Sequence, residues 1–311
     1  MKDVPVATAH TPHEIFVARG MVVLAGVLFS TAGFFVKAPD FQDWPGPVIA
    51  VWRAVFASLF LIPLIRRPQW SWKLIPLAAA FVAMNYTYLT ALKLGTAANA
   101  IWLQCTAPAW VMLVGVLLLK EVAHWRDWLM LAFGAVGIVF ILNFEFQALA
   151  LKPEGFQAAV WALGSGVLYA TVILLLRSLR HQDSIWLSGL NLTCTALFLP
   201  LLIWAADFST GRELTTIVVP STLRQWLLLA GFGVFQIGLA YVLFTWAMKT
   251  IPPHEATSIG LMEPILVPVW VYFCWGELPQ WWTTVGATFI LFGLLVRYAP
   301  WDMLLGRKSA A

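Results

Sequence analysis

Charge is what this chain has least of. Only 11% of its 311 residues are Asp, Glu, Lys or Arg, whereas soluble domains carry about 25%. Hydrophobic residues make up 61%, and mean hydropathy is +0.82. That balance excludes a soluble globular domain and predicts an integral membrane protein whose first partner is the lipid bilayer. Cysteine is scarce too. Cys105, Cys194 and Cys274 all fall in apolar runs, which excludes a disulfide framework and predicts reduced, buried thiols. Long polar segments are missing: the longest connection is 206–223, so no soluble domain fits. The net charge of +4 and pI near 9.1 do not point to nucleic acid, because the basic residues sit in short loops.

Clusters of reactive side chains are also absent. Every His (10, 13, 124, 181 and 254) and every Asp falls in a loop or at a segment end. Metal binding, paired-carboxylate catalysis and His-activated nucleophiles need groups gathered in space, and the apolar segments hold none. Hence no catalytic residue, no metal and no cofactor is expected, and the pattern argues against an intramembrane enzyme. A receptor or scaffold without turnover would call for soluble signalling segments, and the tails are short.

What is present is ten apolar stretches, each close to the 20 residues that span a hydrocarbon core. They run over about 18–37, 46–65, 74–93, 97–119, 127–143, 156–177, 185–205, 224–248, 255–275 and 281–299. Residues 1–17 read as a short disordered tail, without the layout of a signal peptide; residues 300–311 form a second tail. With the N-terminus inside, 13 of the 19 basic residues lie on the inner face, among them Arg66, Arg67, Lys73, Arg126, Arg177 and Arg297. Five (Lys37, Lys93, Lys152, Arg212 and Arg224) lie outside, and Arg53 lies within the membrane. This bias predicts both termini on the cytoplasmic side of a bacterial inner membrane.

The sequence repeats itself. At a shift of 156, Lys93 meets Lys249, Pro108 meets Pro264, Glu121 meets Glu277 and Gly137 meets Gly293. At a shift of 140, GVLFST (26–31) meets GVLYAT (166–171). Five spans per half is an odd number, so the halves, 18–143 and 156–299, are expected in opposite orientations. Inverted repeats are a transporter architecture, with the site near midplane between the halves.

Each half carries a Pro within its fourth span and a Glu closing it (Pro108 and Glu121; Pro264 and Glu277), followed by a Gly-bearing fifth span. This pattern resembles the drug/metabolite transporter superfamily, and within it the ten-helix EamA-type exporters. The triplet MEP (262–264) resembles the Glu-Pro usual in the ninth helix of that family. The resemblance covers about 18–299. It implies an all-α fold and export of a small-molecule substrate such as an amino acid by alternating access. The many aromatics point to YddG-like aromatic amino acid exporters as one candidate. Drug and nucleotide-sugar carriers of the same superfamily are the alternative, although anionic nucleotides would want more than one buried cation.

Among the carboxylates only Glu263 is expected deep, and among the basic residues only Arg53. Intramembrane charges are expensive and default to function. One reading gives Arg53 a substrate carboxylate, and makes Glu263 a proton acceptor, with protons as the coupling ion, or an amine-binding group. The other makes them a fixed ion pair, since their expected depths differ by only about 5–10 Å. Pro108 and Pro264 are expected as hinges or tolerated kinks that free the carbonyls of Gln104 and Gly260. Gln104, Asn85, Tyr86, Trp102, Trp161, Tyr169, Gln236, Tyr241 and Trp246 are candidates for lining a cavity, because aromatics with a polar handle suit amphipathic cargo. Glu121 and Glu277 are expected as interfacial caps, and Ala162, Gly166, Gly134, Gly137, Gly286 and Gly293 as sites of close helix packing.

Overall fold

The computed structural model describes residues 11–117, 120, 122–148, 153–211, 215, 217–251 and 259–298. Both outermost tails, Glu121, Lys152, Arg212 and His254 fall outside them. The described chain is helical throughout, without strands. Its helices are α1 (Pro12–Ser30), α2 (Ala32–Val36), α3 (Gly46–Leu61), α4 (Leu74–Leu94), α5 (Ala97–Gln104), α6 (Ala107–Leu117) and α7 (Trp125–Gln147). They continue as α8 (Pro153–Ser178), α9 (Ser184–Thr210), α10 (Leu223–Gly231), α11 (Ala240–Ala247), α12 (Met262–Trp275) and α13 (Trp281–Tyr298). A π-helical stretch, Phe232–Leu239, joins α10 to α11. Taken with their direct continuations, eight helices among the described residues are long and apolar enough to cross a membrane, and α12 is a shorter apolar helix. This is an integral membrane protein.

Helix limits differ from the sequence expectation at two informative places. The first helix starts at Pro12, six residues early, inside the stretch read as a tail. Thr11 and Glu14 form a capping box there and Pro12 takes the first helical position, which satisfies the orphan N–H groups of the first turn. The fifth span runs on to Gln147, which draws Glu145 from an expected loop into a helix where it is 4% exposed. The thiols depart in part as well: all three are free as expected, but none is buried, Cys105 and Cys194 being half-buried and Cys274 exposed.

Two helices expected to be continuous are interrupted. After Gln104 the chain turns at Cys105 and Thr106 before α6 begins, and after helical residues 259–260 it turns at Leu261 before α12 begins. Pro108 is thus the second residue of α6 and Pro264 the third of α12, in first turns where a missing N–H costs little. The prolines start helices instead of kinking them.

Packing between the halves is reciprocal. The third helix of the first half, α4, lies along α8, while α11 lies along α1. Gly166 of α8 faces the first interruption, where a Cβ would come within 2.9 Å of the Leu103 carbonyl and of Thr106 Oγ1. Gly26, its partner in the repeat, faces the second interruption at Met262, with Sδ 3.2 Å from such a Cβ. The fifth helices, α7 and α13, run against each other through glycine. A Cβ on Gly137 would lie 2.6 Å from the Gly286 carbonyl and 2.7 Å from Ile290 Cγ1, and one on Gly293 3.1 Å from the Met130 carbonyl. Gly137→Val is accordingly expected to destabilise the protein by about 1–3 kcal/mol through overpacking. Thermal unfolding in detergent checks this, and a variant as stable as wild type would show slack in the seam.

Candidate functional site

Glu263 is the second residue of α12, so its carboxylate lies at the positive end of a helix, beside the interruption. It lines a cavity of about 330 Å³ together with Phe29, Cys105, Pro108, Tyr169, Tyr241 and Pro264. Among the described residues no hydrogen bond or ion pair is formed by the Glu263 carboxylate. The cavity therefore holds an acid free to take a proton or a cationic group. Both interruptions border it, Cys105 and Pro108 from one half and Gly260 and Pro264 from the other.

Arg53 does not pair with Glu263, contrary to the ion-pair reading. It is 4% exposed, donates through Nη2 to Asn85 Oδ1, and stands over the Phe232 ring, 5.0 Å from its centroid. Asn85 in turn donates to the Phe81 carbonyl at 2.8 Å. Arg53 Nε has no partner, and neither does the oxygen of Gln236, whose amide nitrogen donates to the Phe29 carbonyl at 3.0 Å. A buried guanidinium with an idle donor and no carboxylate partner among the described residues is equipped to take an anion. Tyr88 and Tyr241 feel the fields of both charges. Gln236 and Phe232 belong to the π-helical stretch, which packs on α3 so closely that a Cβ on Gly233 would meet the Arg53 carbonyl at 2.6 Å.

Other candidates lie elsewhere. Tyr86 and Trp161 meet edge to face at 5.7 Å, away from the cavity. Trp102 is buried beside a separate small pocket with Thr283 and Pro268. Gln104 ends α5, where its carbonyl faces Gly166, and Cys105 and Pro108 line the cavity in its place. Trp246 faces outward and is 59% exposed. Residues that sequence reasoning passed over are Phe29, Gly26 and Leu294 in the cavity wall, and Phe232 under Arg53. A second polar cluster was missed entirely: Glu145 accepts from Asn99 at 2.6 Å and Trp282 at 3.0 Å, and Asn99 accepts from Thr283 at 2.7 Å. The signal for it was Asn99, a polar side chain three residues after Thr96 near the start of an apolar span.

A polar cluster ties helix ends together on the face that carries fewer basic residues. There Lys37 Nζ lies 2.9 Å from Glu277 Oε2 and donates to the Gly95 carbonyl. Glu277 Oε1 accepts from Ala97 N at 2.7 Å and so caps α5, as expected for an interfacial cap. Lys93 donates to the Phe41 carbonyl, and Trp275 to the Phe34 carbonyl at 2.8 Å. Toward the opposite, basic face the cavity reaches Val22, Phe244 and Tyr298.

A membrane protein with an acid in a central cavity beside two interrupted helices is organised to hold and pass a small molecule. The sequence matches the EamA-like transporter family over residues 18–143 and 156–298. The chain belongs to that family. This EamA-like transporter is similar, at 26% identity over 286 residues, to an uncharacterized transporter of Archaeoglobus fulgidus, over 89% of this chain and 94% of the relative. It is also 26% identical over 283 residues to the Pseudopaline exporter CntI of Pseudomonas aeruginosa, over 87% of this chain and 92% of that one. A protein of known crystal structure shares the fold of the EamA-like transporter, with a TM-score of 0.58 and 17% identity over 94% of this chain and 99% of its own.

Proposed function

We propose that the protein exports small carboxylate-bearing metabolites, amino acids foremost, by alternating access. The observation that carries this reading is the Glu263 carboxylate, without a partner among the described residues, in a cavity that reaches Val22, Phe244 and Tyr298; the Lys37–Glu277 pair on the other face is taken as its seal. The reciprocal packing of α4 on α8 and α11 on α1 supports ten spans in two inverted five-helix repeats. The excess of Lys and Arg on the face the cavity reaches supports assigning it to the cytoplasm, with both termini there and a bacterial inner membrane as the location. Cargo then enters from the cytoplasm and leaves when the halves rock apart on the outer side. Arg53 takes the cargo carboxylate, Glu263 takes its amine or a proton, and Phe29, Tyr169 and Tyr241 enclose its side chain, which favours aromatic amino acids. An exporter among the relatives supports the outward direction.

Flux of labelled aromatic and aliphatic amino acids into proteoliposomes, with and without a pH gradient, tests the proposal. Glu263→Gln is expected to retain cargo exchange and to lose at least tenfold of the acceleration by a pH gradient. A well-folded Glu263→Gln protein that matches wild type in both assays refutes a proton role. If wild type moves no amino acid, the cargo class is wrong.

A further inference from the structure

A second concavity lies apart from the one around Glu263. It is an apolar groove of about 850 Å³ on the outside of the helix bundle, between α4 and α9. Both helices start from the basic face and run side by side. On α9 the wall is the row Leu190, Cys194, Phe198 and Leu202, spaced by four residues and so aligned along one helix face. On α4 it includes Ala79 and Ala83, small side chains that make the surface concave.

Its dimensions match part of a lipid. From Leu74 to Ala83 along α4 is about 14 Å, and from Leu190 to Leu202 along α9 about 18 Å. One leaflet of a hydrocarbon core is about 15 Å deep, half of the full thickness. The groove thus runs from the basic face to about the middle of the membrane, as an acyl chain does. Its mouth is built for a headgroup. Trp70 and Trp72, 76% and 75% exposed, stand at the rim, where indole rings favour the interface. Trp186 holds this rim in place, donating to the Gln69 carbonyl at 3.1 Å and meeting Trp70 edge to face at 5.1 Å. In the same short connection lie Arg66, Arg67 and Lys73, and among the described residues none of them pairs with a carboxylate. Three cations in the connection whose Trp70, Ser71 and Trp72 line the slot complement an anionic phosphate attached to an acyl chain.

We infer that the groove between α4 and α9 is a binding site for an anionic glycerophospholipid of the basic-face leaflet, its phosphate held by Arg66, Arg67 and Lys73 and one acyl chain lying between Ala79 and Phe198. The site is separate from the transport cavity and does not depend on what the protein carries. It holds one lipid more firmly than the surrounding bilayer does, because the concave wall adds contact and the loop adds charge.

The full-length protein, released from nanodiscs containing equal amounts of phosphatidylglycerol and phosphatidylcholine, is examined by native mass spectrometry for retained lipid. Wild type is expected to keep one phosphatidylglycerol with at least a tenfold preference over phosphatidylcholine. The variant with Arg66→Gln, Arg67→Gln and Lys73→Gln, all outside the helix core, is expected to lose the preference. Ala79→Phe, which fills the slot, is expected to lower retention of both lipids. Labelling of Cys194 in a Cys105→Ser, Cys274→Ser background gives a second readout, with protection expected to rise when phosphatidylglycerol is added and not when glycerol phosphate is. Equal retention of the two lipids by wild type, or a triple variant that keeps the preference, overturns the inference. So does protection of Cys194 that tracks protein concentration, which would assign the groove to a second copy of the chain.

Discussion

Arg53→Met is expected to abolish transport of carboxylate-bearing cargo while leaving thermal stability unchanged or raised. Arg53 is buried against Phe232, with Asn85 as its hydrogen-bond partner and its Nε idle. A buried charge in this state is costly, and replacing it with an apolar side chain of similar length removes that cost. The cargo carboxylate, by contrast, loses charge-assisted hydrogen bonds worth about 3 kcal/mol, roughly a hundredfold in affinity. Asn85 is left with an orphaned oxygen, so Arg53→Met with Asn85→Leu serves as the control. Cargo flux and thermal unfolding measured on the same preparations separate the two roles. A melting temperature that falls together with flux would show that Arg53 holds helices together and would end its assignment to cargo.

The second large effect concerns access. Cys105 lines the cavity and serves as a built-in reporter once Cys194 and Cys274 are changed to Ser. A membrane-impermeant maleimide is expected to label it readily from the basic face and slowly from the opposite one, where Lys37, Glu277 and the backbone at Gly95 and Ala97 close the way. The Ala97 N–H bond to Glu277 is charge-assisted, of a kind worth about 1.5–3 kcal/mol. Glu277→Gln or Lys37→Met is therefore expected to speed labelling from the sealed side by about tenfold, since 1.4 kcal/mol is a factor of ten. Labelling unchanged in both variants would show that the seal rests on packing alone.

Much of this was readable before any coordinates. Apolar run length located eight of the ten expected spans among the described residues, because a bilayer demands helices of one length. Glu263 stood out because a carboxylate in such a run is rare, and Pro108 and Pro264 marked the helix interruptions, although as helix starts and not kinks. The start of α1 was also legible, since Thr11-Pro12 with Glu14 spells a capping box, but the polar composition of the tail outweighed it. Other features had no sequence signal. These helices are hydrophobic nearly all round, so nothing in the periodicity tells which side faces lipid. Trp246 and Tyr241 share α11, yet one faces outward and the other lines the cavity. Depth along an axis placed Arg53 near Glu263, but lateral position decides contact: Arg53 meets Asn85 and Phe232, while Glu263 lines the cavity. Glu145 escaped because a helix end is set by its neighbours: α7 continues where Asn99 and Trp282 are there to meet the carboxylate.

Under the roles proposed for Arg53 and Glu263, the buried guanidinium would also set how the carrier responds to voltage. An elementary charge that crosses the full membrane field changes energy by about 2.3 kcal/mol per 100 mV. With Glu263 ionised, the empty site is neutral and a membrane potential does not bias it. Once Glu263 takes a proton, the empty site carries one positive charge, and an inside-negative potential draws it toward the cytoplasm. A zwitterionic amino acid, which brings an ammonium with its carboxylate, would move out with Glu263 ionised and the site neutral. In the proposed cycle the empty, protonated carrier is then returned inward electrically as well as chemically, while the loaded one moves out against no electrical load.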